Sequence, residues 1–340
     1  MLQACNLDGE PIAAYQAESG ESYYCPACHA ELILKSGAHK ITHFAHRNNP
    51  ECAAHSEGET SEHLTGKLQL AQLLKVQGKT VIVEYYIEVL KQRPDLFVRH
   101  QQQNFVLEFQ CAPLSVEKMK QRSEGYRRLG IAFLWILGER HRLQRGITQQ
   151  IAQFIRWLPN LGFYLVYYSV KRKKLELYYH LEQADYLPVA SLSFTTANFQ
   201  ELITFMKKPL RLVPQKLTSR QRSQQILKFQ RDCFYSQGKI RELQQDWYQE
   251  GLVLQQLEFF FMQQSYSAPL YGVKQLYWKS KYLLAVYREK GKLAKLHQLG
   301  IRLQQQSSFS LPLVKLEHVW EEQLVDFNGI LKKYHWFFRV

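Results

Sequence analysis

Two groups of residues in this sequence have the types and spacing to do chemistry. The first is Cys25-Pro26-Ala27-Cys28, followed after a short glycine-bearing loop by His43-Phe44-Ala45-His46. Zinc favours four tetrahedral sulfur and nitrogen ligands, and paired ligands on two tight turns supply that geometry. The expectation is a structural Zn²⁺ on Cys25, Cys28, His43 and His46, with Cys52 close enough behind to replace one histidine. The bland alternative is a loop with free thiols. A redox Cys-x-x-Cys would need a βαβ setting that the flanking residues do not offer. A site closed by four protein ligands serves folding rather than catalysis.

The second group is carboxylate. Asp95 follows Arg93-Pro94 at the start of one expected strand, and Glu108-Phe109-Gln110 lies on the next. Alternation puts Glu108 and Gln110 on one face of that strand and Leu107 and Phe109 on the other. Carboxylates on paired strands can hold one Mg²⁺ or Mn²⁺, hard ions that take oxygen ligands. Such an ion polarises a phosphodiester and lowers the pKa of a water that attacks phosphorus. Glu62, early on a helix, is a third acid, although acidic residues favour helix N-termini in any case. His63 beside it could act near the metal, and equally needs no such role on a helix surface. Glu84 could join the cluster or be an exposed strand carboxylate. Asp95 alone reads as a turn residue after proline, and Glu108 alone as an edge-strand position.

The elements that must position these groups can be read from periodicity. Thr60 or Ser61 can cap a helix bearing Leu64, Leu68 and Ala71, ended by Gly78. A β-rich run follows from Thr80 to Tyr86. Short strands over Leu96–Val98 and Phe105–Cys111 are joined by the polar tract His100 to Asn104. Ser115 can cap a helix to Leu129, with Gly130 after it. Ile131–Leu137 is apolar throughout, as a strand buried on both faces should be. The expected order is helix, three strands, helix, strand. Beyond it come a helix from about Gln149 to Trp157 and two aromatic strands, Phe163–Val170 and Leu175–Leu181. These strands flank the basic turn Lys171-Arg172-Lys173-Lys174. Past Asn198 the pattern is helical, with Leu243–Gln264 and Val273–Gln305 the longest candidates. This organisation predicts a zinc module over 1–57, an α/β nuclease-like domain over 58–148, and a mixed β and helical C-terminal region over 149–340.

Hydrophobic residues at 46% and charged residues at 22% describe an ordinary globular chain, and no apolar run reaches the ~18 residues that span a bilayer. The first residues lack a secretory pattern, so the expected location is the cytoplasm, where the six cysteines would be reduced. The formal charge is +14, and it is unevenly spread. Residues 1–150 hold 17 Lys and Arg against 16 Asp and Glu, leaving 27 against 14 for residues 151–340. A basic half beside a neutral half fits a nucleic-acid surface next to a separate chemical site. A solvated lysine-rich surface is the competing reading. Lys171 to Lys174 are credible phosphate contacts and an equally credible hairpin turn. The aromatics of 163–181 could stack bases, but sheet packing is the commoner use of such a pattern.

With CPAC, HFAH, SEHLTGK, RPDL, EFQ and the Arg122–Tyr126 helix leading into IAFLWILG, the chain resembles the competence protein CoiA family. Its centre resembles the PD-(D/E)XK nuclease superfamily, whose restriction-endonuclease-like core runs αβββαβ. The resemblance covers roughly residues 1–140. It implies DNA processing in natural transformation, metal binding at Asp95 and Glu108, and a first-helix acid at Glu62. It also makes single-stranded or branched DNA and recombination proteins the expected partners, with no membrane. One departure matters: Gln110 stands where the superfamily commonly has lysine, and an amide can orient a water but carries no charge. Lys118 and Arg122, four apart on a stripe with Tyr126, are then candidates to supply that charge or to grip DNA phosphate. Two functions follow, a metal-dependent DNA nuclease or a DNA-binding recombination accessory protein without catalysis.

Overall fold

A computed structural model of the chain describes residues 1–37, 40–47, 52, 60–100, 103–143, 146–263 and 265–333. Gln101 and Gln102 of the polar connection and the expected boundary at 57/58 lie outside the described residues. The strands are β1 (Gln3–Cys5), β2 (Pro11–Ala13), β3 (Tyr23–Tyr24), β4 (Glu31–Gly37) and β5 (Lys40–His46), then β6 (Thr80–Val83), β7 (Leu96–His100), β8 (Gln103–Gln110) and β9 (Ala132–Leu137). Later strands are β10 (Arg156–Leu158), β11 (Gly162–Ser169), β12 (Lys174–Glu182) and β13 (Ala190–Thr196). The helices are α1 (Ser61–Val76), α2 (Val116–Arg128), α3 (Gln149–Ala152), α4 (Phe199–Met206), α5 (Ser219–Tyr235), α6 (Gly238–Gln249), α7 (Glu258–Gln263), α8 (Gln275–Arg288), α9 (His297–Gln306) and α10 (Glu317–Lys333). No helix among the described residues is long and apolar enough to cross a membrane.

Packing divides the chain into two compact units. The first comprises Met1–Arg142, Leu165–Tyr178 and Ser193–Pro209, and the second Leu143–Tyr164, Tyr179–Leu192 and Leu210–Val340. In the first unit an antiparallel sheet ordered β2-β1-β3-β4-β5 is built around Tyr23, Leu32 and Phe44. The larger sheet runs β13-β12-β11-β9-β8-β7-β6, with β6, β7 and β8 antiparallel and β9 parallel to β8. The order α1-β6-β7-β8-α2-β9 is therefore present as read from the sequence.

Local chemistry explains these elements. Thr60 Oγ1 accepts the His63 N–H at 3.2 Å and starts α1. Leu64, Leu70, Ala71 and Leu74 bury one stripe of that helix, and Gly78 at φ +72° ends it. Ser115 caps α2 by accepting the Lys118 N–H. Gly66 lets α1 lie directly against β8: a Cβ there would meet Phe109 Cε1 at 2.0 Å. This close approach brings the turn of α1 that carries His63 and Lys67 toward the strand that carries Glu108.

Four expectations differ from the structure. The helix near Gln149 stops at Ala152, and Trp157 lies on β10. The β-rich run from Thr80 ends at Val83, because Glu84 turns the chain at φ +55°. The boundary at 148/149 does not match the packing, because β11 joins β9 in parallel at Tyr167 and Leu137 and so extends the core sheet. The reason is burial: Tyr167, Tyr168, Leu175 and Leu177 are all core residues, so these aromatics pack rather than offer stacking faces. In the second unit the long helical candidates break at Gly251 (φ +70°) and Gly291 (φ +79°). Its core includes Phe229, Trp247, Trp278 and Tyr282.

Candidate active site and metal centre

Asp95 and Glu108 meet where β7 begins and β8 ends. The Asp95 N–H donates to Glu108 Oε2 at 3.3 Å, and the Phe109 N–H donates to Asp95 Oδ2 at 2.8 Å. Helix α1 adds two side chains one turn apart. His63 Nε2 lies 3.1 Å from Asp95 Oδ2, and Lys67 Nζ lies 3.7 Å from Asp95 Oδ1. From α2, Arg122 donates to Glu108 Oε1 through Nη2 at 2.5 Å and Nε at 3.1 Å, and Tyr126 donates its hydroxyl to the same oxygen.

The two carboxylates are electrostatically unequal. Burial pushes Glu108 up, and Asp95 adds to that, while Arg122 opposes it; the net direction is upward. Burial would also raise Asp95, but His63 and Lys67 overcome it and hold its carboxyl well below the usual range. One partner is therefore firmly ionised and the other reluctant, as expected for like charges sharing a site.

Glu84 completes the centre. It is 3% exposed, not a surface strand carboxylate, and Lys67 Nζ sits 2.5 Å from its Oε1. Burial would raise Glu84, yet Lys67 first and Arg93 next hold it well below the ordinary value. Its left-handed backbone costs about 1–3 kcal/mol, a strain that must be offset by these contacts.

The remaining carboxylate-group residues fall as follows. Glu62 Oε1 accepts the Glu139 N–H at 2.8 Å, so its carboxylate anchors the chain after β9. Asp95, Glu108 and Glu62 do not converge: among the described residues, the one set of three or more such ligand atoms within 4.8 Å is a Cys/His cluster. Gln110 donates its amide to the Ala112 carbonyl at 2.6 Å. Tyr126, expected as a DNA contact, is fully buried against Glu108 and cannot reach a ligand. Arg122 is spent on the Glu108 carboxylate and the Arg93 carbonyl. Lys118 is exposed on α2. Lys171, Lys173 and Lys174 are exposed at the β11–β12 turn, while Arg172 pairs with Glu176 at 2.5 Å.

Lys67 was missed by sequence reasoning, although a signal was present. It shares a helical stripe with Leu64, Leu70, Ala71 and Leu74, and a lysine at a core-facing position must find a buried partner.

The N-terminal cluster consists of Cys25, Cys28, His46 and Cys52, whose ligand atoms all lie within 4.8 Å of one another and could hold a metal such as zinc. A tight turn, with the His29 N–H donating to the Cys25 carbonyl and His29 at φ +55°, presents the two knuckle thiols. Burial alone would raise the Cys28 thiol; the Ala30 backbone and the Cys52 and Cys25 thiols bring it below its ordinary value, toward the thiolate that a metal requires. His43 is not in the set. HFAH forms part of strand β5 rather than a turn, so residues three apart face opposite sides. His46 shares its side with buried Phe44, whereas His43 sets its Nδ1 2.7 Å from the Ile41 carbonyl.

A cavity of about 930 Å³ in the second unit, bordered by Trp157, Glu182, Trp278, Lys279, Glu322 and Asp326, contains none of the sequence-predicted residues.

Two family models match the chain. Residues 7–55 match the competence protein CoiA N-terminal domain, and residues 59–210 match the competence protein CoiA nuclease-like domain. The competence protein CoiA of Bacillus subtilis (strain 168) is 40% identical over 116 residues, which is 34% of this chain and 31% of that relative. The match thus spans about a third of the relative's length. No solved structure matches.

Proposed function

Because the chain belongs to the competence protein CoiA family, we propose that its nuclease-like domain hydrolyses DNA phosphodiester bonds in natural transformation. The reading includes a restriction-endonuclease-like core, a cytoplasmic location, and single-stranded or branched DNA and recombination proteins as partners. The observation that carries it is the Asp95–Glu108 pair, brought together where β7 begins and β8 ends and cross-linked by backbone N–H groups.

The donor set fits Mg²⁺ or Mn²⁺. Glu108 Oε1 is saturated by Arg122 and Tyr126, whereas Oε2 accepts one long bond among the described residues, and Asp95 is partly exposed. Asp95 Oδ1 and Glu108 Oε2 are then the oxygens that would hold the ion. When bound, the ion supplies Lewis acidity to the phosphodiester. The protein's own groups aim the two carboxylates: Arg122 and Tyr126 fix Glu108 from beneath, and His63 and the Phe109 amide fix Asp95 Oδ2. Cys25, Cys28, His46 and Cys52 would hold a structural Zn²⁺, since three thiolates and an imidazole leave no open position.

The test is cleavage of single-stranded, duplex and branched DNA with Mg²⁺ or Mn²⁺. Asp95→Asn or Glu108→Gln should abolish cleavage and leave DNA binding largely intact. Full activity in the double variant, from a preparation free of contaminating nuclease, would sink the assignment. A non-catalytic DNA-binding role is the second reading, favoured by Gln110, whose amide is turned back onto Ala112.

A further inference from the structure

Resting on the carboxylate reading above, we propose that Glu84 is a positioning residue that holds Lys67 off Asp95, and that the N-terminal module sets Glu84 in place. Two carboxylates lie near Lys67 Nζ, Glu84 Oε1 at 2.5 Å and Asp95 Oδ1 at 3.7 Å. Lys67 is 1% exposed, so its charge cannot retreat to water and goes to the nearer acid.

Glu84 is anchored from the N-terminal module. Its Oε2 accepts the Leu2 N–H at 2.8 Å and the Gln3 N–H at 3.4 Å, both from the N-terminal module. Its own N–H donates to the Asp95 carbonyl at 2.9 Å, which ties the two acids together through the backbone. Asp95 Oδ2 is taken by Phe109 and His63, so Oδ1 is the oxygen left for a divalent ion, and it is the oxygen that Lys67 faces. An ammonium in contact with Oδ1 would compete with that ion directly. With Glu84 seated by the module, Lys67 leans away and Oδ1 stays open. Without that support Lys67 closes onto Asp95. Metal binding in the nuclease-like domain is thereby made conditional on a folded N-terminal module.

The test is Mn²⁺ binding to the full chain, read by electron paramagnetic resonance of the free ion, with circular dichroism to verify folding. Binding by the wild type that Asp95→Asn abolishes establishes the carboxylate site. Glu84→Gln should weaken Mn²⁺ by about tenfold or more, because the ammonium no longer drawn to Glu84 moves onto Asp95. Adding Lys67→Met to Glu84→Gln should restore affinity to within about threefold of wild type, a coupling that a merely structural glutamate would not show. Cys25→Ser, which undoes the module, should weaken Mn²⁺ in the same way and be rescued by the same Lys67→Met. Lys67→Met alone should bind Mn²⁺ at least as tightly as the wild type, because it removes the positive charge that faces Asp95 Oδ1. The proposal is overturned by Glu84→Gln binding normally, by absence of rescue, or by a folded Lys67→Met that loses Mn²⁺. Should Glu84→Gln not fold, the Lys67→Met result alone decides. A wild type that binds no Mn²⁺ at Asp95 removes the nuclease reading itself, and this proposal with it.

Discussion

Tyr126 shows how one buried hydroxyl separates two roles that the sequence cannot. Its O–H donates to Glu108, an acid that is itself 1% exposed. Tyr126→Phe should lower stability by about 1.5–3 kcal/mol, the usual worth of a hydrogen bond to a charged group. DNA affinity should stay unchanged, because the ring is inaccessible; a stable variant with weakened DNA binding would return Tyr126 to the binding surface. Lys279, in the second unit, is a pH probe. Burial pushes its amine down from 10.5 to about 8, against the pull of Asp185. Below pH 8 both folded and unfolded chains carry the proton and the folded state bears the full penalty. Between about 8 and 10.5 the unfolded chain binds more protons, so this contribution to stability rises with pH. Lys279→Met should therefore raise the melting temperature by a few degrees at pH 7, and the gain should vanish above pH 10.5. A gain that persists unchanged at high pH would point to packing instead.

Strand β5 decides the ligand set of the N-terminal cluster. Because His43 and His46 are three apart on a strand, one of them must face away from the thiols. His43→Ala should therefore leave zinc at one ion per chain, while Cys52→Ser should lose it and make the module protease-sensitive. Metal analysis of both variants, purified without chelator, checks this; loss of zinc in His43→Ala alone would restore the paired-histidine arrangement. Helix α1 illustrates the same dependence on element type. Its 3.6-residue period puts His63 and Lys67 on one face, and Gly66 permits the contact with Phe109 that brings that face to Asp95.

Across the whole molecule the charge is divided less simply than along the chain. The second unit holds 22 Lys and Arg against 12 Asp and Glu, and the first holds 22 against 18. The first unit owes its small excess to the Lys171–Lys174 turn, which belongs to it rather than to a C-terminal region. If this turn touches DNA phosphates, replacing Lys171, Lys173 and Lys174 by Ala should reduce the salt slope of duplex binding by about 0.9 per lost contact. Arg172 is left in place because it pairs with Glu176. Sequence preference should not change, since phosphate contacts carry no base information. Binding measured at several salt concentrations decides; an unaltered slope would make the turn an ordinary solvated hairpin.

Much here was legible in the residues alone. Periodicity and caps located α1, α2 and β9, because amphipathic spacing and terminal hydrogen bonds are local properties. Strand alternation put Glu108 and Gln110 on one face, and the spacing of cysteines and histidines marked a cluster that could hold a metal. Which ligands close that cluster depended on HFAH being strand rather than turn, and on Cys52 returning from a distant position. The pairing of Lys67 with Glu84, the use of Arg122 and Tyr126 by Glu108, and the docking of β11 on β9 join residues far apart in the chain. Those outcomes turn on burial. A lysine, arginine or tyrosine has the same chemistry at any position, but out of water its charge or hydroxyl must find a partner, and only the packed fold determines which partners are within reach.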